Sequence, residues 1–81
     1  MGKILIGSIN FQVQSEITTV VSLFTGLPSI GSGNKIVFAL AASDGKAYRA
    51  VYNTNEIKND DSNVNLPSGI WFNGEVVVIL P

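Results

Sequence analysis

The stretch Ile9-Asn10-Phe11-Gln12-Val13-Gln14 decides the fold class. Its odd positions are apolar and its even positions are amides, the period of two expected of a β-strand with one dry face and one wet face. Toward the N-terminus, Ile4, Leu5 and Ile6 are apolar on both faces. Gly7-Ser8 separates the two patterns and predicts a bulge or bend at which the first strand changes partners. Toward the C-terminus, Ser15 to Gly26 fits two templates. Ile17, Val20, Val21 and Phe24 have helical spacing, with Ser15 and Glu16 at a cap and Gly26 and Pro28 as a stop. Ile17, Thr19, Val21 and Leu23 instead continue the strand alternation, and the β-branched run Thr18-Thr19-Val20-Val21, stiff at χ1, favours the strand.

Further along, Leu27 to Asn34 is a loop by its Pro, Ser and Gly content. Lys35 to Ala42 reads as a buried strand, Ser43-Asp44-Gly45-Lys46 as a hairpin turn, and Ala47 to Tyr52 as its return, with Tyr48 and Tyr52 on one face. Asn53 to Ser68 is the longest polar stretch, a loop with one short strand around Glu56 to Lys58. Ile70-Trp71-Phe72, an Asn73-Gly74 turn and Glu75 to Leu80 predict a second hairpin, Asn-Gly being the favoured type I′ pair. The expected architecture is all-β: one domain over residues 1–81, a small sandwich or barrel of five to seven short antiparallel strands, with at most one short helix.

Composition bounds the function. The chain has 81 residues, 46% of them hydrophobic and only 14% charged, against about 25% charged in an ordinary soluble domain. Neutral groups carry the polar surface instead, among them eight Asn and two Gln. Five basic and six acidic side chains give a formal charge of -1, which supplies neither a positive field for nucleic acid nor a polybasic membrane anchor. With no Cys and no His, disulfides, thiolate nucleophiles, imidazole bases and Cys/His zinc sites are excluded. The longest apolar run, Ile36 to Ala42, has seven residues, far below the roughly 18 that cross a bilayer. The N-terminal apolar stretch is too short for a secretory leader. Synthesis in the cytoplasm without a signal peptide, no membrane insertion and no cofactor are the resulting expectations.

Motifs that resemble chemistry fail on their own requirements. Gly26 and Gly31 are spaced as in a phosphate loop, but Ser32 stands where the Lys belongs. Gly31-Ser32-Gly33 lacks the third glycine of a dinucleotide fingerprint. Asn59, Asp61 and Asn63 alternate as in a calcium loop, yet Val64 and Ile70 occupy the Gly and Glu positions. Nothing pairs two of the carboxylates across a cleft as hydrolysis requires, and the chain reads as a non-enzyme. Tyr48, Arg49 and Tyr52, with Lys46 near, form a candidate surface-binding patch for single-stranded nucleic acid, against which the charge balance argues. Trp71 and Phe72 point to opposite faces of their strand, so one is core and the other a subunit contact or a sugar platform.

A resemblance adds a more specific expectation. Thr25-Gly26-Leu27-Pro28, then Ile36 to Leu40, the turn Asp44-Gly45-Lys46-Ala47-Tyr48, Thr54-Asn55-Glu56-Ile57-Lys58, and Leu66-Pro67-Ser68-Gly69-Ile70-Trp71-Phe72-Asn73-Gly74-Glu75-Val76 follow one another in that order. The order, over positions 17 to 80, resembles small β-domains of bacteriophage fibre and baseplate proteins. Asn55-Glu56 lacks the glycine usual at that turn, and the last strand lacks an aromatic often found there. The resemblance implies a trimeric all-β virion component of a fibre, spike or capsid surface, with no catalytic residues.

Composition points the same way. A chain of this length buries only about 60 to 65% of its extended surface, so apolar side chains are left for other subunits to cover. The expected contacts are Leu5, Phe24, Ile30 and one of Trp71 or Phe72. Association is what composition predicts; the resemblance implies the rest, a structural function by homo-oligomeric assembly, most simply a trimer, with other virion proteins and surface attachment. The alternatives are a module that binds host surface glycans, which requires an exposed aromatic with amide or carboxylate neighbours, and a small OB-like nucleic-acid-binding domain.

Overall fold

The computed structural model describes residues 3–31, 34–60 and 65–80. The middles of the predicted 27–34 and 53–68 loops, with Asp61 and Asn63 of the calcium-like run, lie outside the described residues. The protein is all-β, with no helix among the described residues: β1 (Lys3–Gln12), β2 (Ser22–Phe24), β3 (Lys35–Ala42), β4 (Ala47–Asn53), β5 (Glu56–Asn59) and β6 (Trp71–Leu80). They form one antiparallel sheet in the order β1-β6-β3-β4-β5-β2. That sheet is curled into a half-barrel, because side chains of its two edge strands meet: Phe11 of β1 and Phe24 of β2 touch edge to face, centroids 5.6 Å apart.

The alternation that predicted β1 sets the core. Phe11 stacks on Phe72 of β6 at 5.4 Å, and Tyr48 of β4 meets Phe72 edge-on at 5.1 Å. Leu40, Ala50, Tyr52, Ile57, Leu66, Val76 and Val78 fill the rest of the concave side. The β3–β4 hairpin turns at Gly45, whose φ of 83° lies in the left-handed region that glycine tolerates without strain. Asp44 locks that turn: one carboxylate oxygen accepts the Lys46 N–H at 2.9 Å and the other the Tyr48 hydroxyl at 2.8 Å.

Three local expectations are corrected. β6 is a single ten-residue strand paired with β1 from Gln12↔Trp71 to Lys3↔Leu80, so Asn73-Gly74 lies inside a strand and makes no hairpin. Gly74 serves a different purpose there. A Cβ at that position would lie 2.7 Å from the Ala39 carbonyl oxygen and 2.9 Å from a Leu40 methyl, so the glycine lets β3 pass close to the inner side of β6. Pairing of these two strands is confined to Ala41↔Asn73 and Ala42↔Phe72, and beyond Gly74 they flank a cleft of ≈ 440 Å³ beside Ile36 and Val78.

Gly7-Ser8 makes no bulge: the β1–β6 register runs through it unbroken, and the first strand keeps one partner. In the ambiguous segment only Ser22–Phe24 is a strand. Residues 15–21 instead cross irregularly from one sheet edge to the other, anchored by the Ile17↔Leu66 bridge and by the buried Asn59. The Asn59 side chain accepts the Val21 N–H at 2.7 Å and donates to the Thr19 carbonyl at 2.9 Å, replacing the ladder that the β-branched run lacks.

Candidate functional site

Among the described residues the longest strand pairing is the β1–β6 ribbon, ten residue pairs whose outer face runs the length of both strands. Opposed residues of an antiparallel pair share a face, so the register places Ile4 with Ile79, Ile6 with Val77, Ser8 with Glu75, Asn10 with Asn73 and Gln12 with Trp71 on that side. The ribbon changes chemistry along its length. At one end Ile4, Ile6, Val77 and Ile79 are 69%, 70%, 58% and 74% exposed, four aliphatic side chains in adjoining rungs with no charge between them. At the other end Trp71, 50% exposed, shares the face with Asn10, Gln12 and Asn73. Ser8 and Glu75 separate the two halves.

The candidates read from sequence distribute differently. Tyr48 and Tyr52 are buried, so they offer no stacking surface. The strand period that put both on one face sends that face into the concave side of the sheet. Tyr48 donates its hydroxyl to Asp44, which raises its own pKa, while the Lys46 N–H and then the Tyr48 hydroxyl hold the Asp44 carboxyl below its ordinary value. Tyr52 donates to the Pro28 carbonyl, and burial pushes its hydroxyl pKa up. Arg49 alone of that trio faces outward, where its guanidinium pairs with Asp60 at 3.5 Å. Of the predicted subunit contacts, Ile30 and Phe72 belong to this chain's own core, and Leu5 and Phe24 are half-buried against it. Ile30 is drawn in because its N–H donates to the Thr54 carbonyl, seating the loop on the β4–β5 turn. Trp71 is the one that stands well exposed.

Ile4, Ile6, Val77 and Ile79 escaped sequence reading as a group. The signal was present: the parity of Ile9, Phe11 and Val13 carried back through Gly7 puts Ile4 and Ile6 outward, and only the expected bulge broke it. Their partners Val77 and Ile79 required the register with β6, which the expected second hairpin obscured.

Elsewhere, Lys35, Asn53, Lys58 and Asp60 line a shallow cleft of ≈ 250 Å³ near Val20. Lys58 there pairs with Glu56 at 3.0 Å; that contact, then the Ser22 hydroxyl, lowers the Glu56 pKa. Among the described residues no three acidic side chains converge to hold a metal ion. Comparison of the chain with protein-family models, with curated proteins and with solved structures finds no match.

Proposed function

We propose that this chain is a structural component of a bacteriophage particle, working by self-assembly and surface attachment rather than by catalysis. The observation that supports assembly is the exposed aliphatic half of the β1–β6 ribbon, Ile4, Ile6, Val77 and Ile79. Fully burying an Ile or Val contributes roughly 1.5 to 3 kcal/mol, and a side chain more than half exposed has over half of that left to gain. Four such residues in two adjacent rungs form a patch that a second copy, itself carrying the same uncharged rungs, can cover without desolvating a charge. Assignment to a fibre, spike or capsid surface, to assembly in threes and to partnership with other virion proteins rests on the order of motifs from Thr25-Gly26-Leu27-Pro28 to Glu75-Val76.

Light scattering coupled to size exclusion tests the assembly. The protein is expected at a multiple of its 8.6 kDa chain mass, and the Ile6→Asp/Val77→Asp variant at the chain mass itself with an unchanged β-type circular dichroism spectrum. A wild-type mass of 8.6 kDa at 100 μM rejects self-assembly, and labelled antibody that finds the chain nowhere on purified particles rejects the virion assignment.

A further inference from the structure

From the other half of the ribbon we infer a binding site for a neutral saccharide, centred on Trp71. The inference deepens the attachment part of the proposed function and rests on that reading only for its biological setting. Chemically it stands on four features of one surface. Trp71 is half exposed, which leaves indole surface open to solvent. Two residue pairs along the ribbon, about 7 Å away at the usual strand rise, Asn73 and Asn10 stand opposite each other on the same face. Among the described residues neither amide has a partner within the protein, so both keep their donors and acceptor for a ligand. Next to Asn73 the rung continues into Ala41 of β3 and Ala47 of β4, so the floor beside the indole is low. The rung Asn10–Asn73–Ala41–Ala47 spans three inter-strand spacings, roughly 14 Å, the length of a disaccharide or slightly more.

Each feature answers a property of a sugar. A pyranose has a face of C–H groups, which lies against the negative face of an indole, and a rim of hydroxyls that both donate and accept. Side-chain amides match that rim because they too donate and accept, and they do so without charge. Gln12, cross-strand from Trp71 on the same face, is fixed by donating to the Gly69 carbonyl at 3.3 Å. The Trp71 backbone is held as well: its N–H donates to the Ser43 hydroxyl at 3.1 Å and its carbonyl accepts the Ser43 N–H at 2.9 Å. Charge selects the class of sugar. On this face Glu75 of β6 and Arg49 of β4 each lie two residues beyond the rung with opposite charge, and Arg49 is paired with Asp60. No single-sign field therefore draws an anionic or a cationic sugar, and a neutral one is matched.

Trp71 is the single tryptophan of the chain, so intrinsic fluorescence reports on the site without a label. The full-length protein is screened on an array of neutral oligosaccharides, and maltotriose, cellotriose, chitotriose and the strongest array ligands are then titrated against tryptophan emission. A saturable change with a Kd on the order of 0.1 to 1 mM is expected, as suits a shallow, pre-formed site. Asn73→Ala retains the reporter and is expected to weaken binding about tenfold; Trp71→Ala, followed by calorimetry, is expected to abolish it. Raising NaCl from 50 to 500 mM is expected to change the affinity less than twofold, because no ion pair is screened. Absence of saturable binding by any neutral sugar overturns the inference, as does binding that Asn73→Ala leaves unchanged or that salt removes. The light-scattering mass of the same samples separates the two readings: a protein that assembles yet binds no sugar retains the first and loses the second, and a monomer that binds sugar does the reverse.

Discussion

Replacing Gly74 by Ala and, separately, Gly7 by Ala should shift stability in opposite directions, although both glycines face the inner side of the same two-stranded ribbon. Relieving glycine's extra conformational freedom in the unfolded chain is worth about 0.5 to 1 kcal/mol at a position whose backbone an L-residue accepts. At Gly7 the added methyl meets a Val76 methyl at 3.6 Å, ordinary van der Waals contact, so the entropic gain stands. At Gly74 it meets the Ala39 carbonyl oxygen at 2.7 Å, a Leu40 methyl at 2.9 Å and the Phe38 ring at 3.3 Å. The first of these is backbone and cannot rotate away. Two strands must separate by several tenths of an ångström where they last pair, an overpacking cost of about 1 to 3 kcal/mol or more. Net destabilisation of roughly 1 to 2 kcal/mol corresponds to a melting temperature lower by about 5 to 15 °C for a chain this small. Thermal unfolding followed by circular dichroism, with urea midpoints alongside, measures both variants. Gly74→Ala as stable as Gly7→Ala would refute the close crossing of β3 and β6, and with it the account of why Asn73-Gly74 runs straight instead of turning.

Asn59→Ala removes both hydrogen bonds that hold residues 19 to 21 and leaves the Val21 N–H and Thr19 carbonyl without their partner. A loss of about 2 to 3 kcal/mol is expected, with amide exchange at Val21 accelerated well beyond that at β3. Tyr52→Phe deletes the donor to the Pro28 carbonyl at no cost in ring packing, so about 1 to 2 kcal/mol is expected in urea unfolding, and an unchanged midpoint would remove that bond from the account of the 27–30 loop. The pH profile has two arms. Asp44 and Glu56 have folded pKa values below their ordinary 3.8 and 4.5, so the stability they contribute is complete above those values and is lost as pH falls through the lower folded ones. Tyr48 and Tyr52 lie above the ordinary 10.0, so their contribution is complete below pH 10 and is lost as pH rises through the folded values. Melting temperatures across pH 2 to 12 check both arms, and Asp44→Asn is expected to flatten the acid one.

What the chain carried in its sequence was periodicity. Alternation over Ile9 to Gln14, the Ser43-Asp44-Gly45-Lys46 turn and the alternation of Ala47 to Tyr52 are local patterns, each set by the strand's two-residue repeat or by a turn's need for Gly and Asp. The all-β class and the β3–β4 hairpin were therefore legible. Composition likewise showed that chemistry based on Cys or His has no residues to run on. Tertiary structure decided everything that depends on which strand lies beside which. Asn73-Gly74 satisfies a type I′ turn as well as it satisfies a strand interior, and ten pairs with β1 outweigh one local turn preference. The Tyr48 and Tyr52 pair reads the same from sequence whether its face meets solvent or core, because alternation defines two faces without saying which is inside; the curl of the sheet, closed by Phe11 against Phe24, made the choice. The same pairing of β1 with β6 brings Ile4 and Ile6 to Val77 and Ile79, and Asn10 and Gln12 to Trp71 and Asn73, across some sixty residues of sequence. Each half of that surface is two short fragments until the register joins them, and no local signal encodes a register between the two ends of a chain.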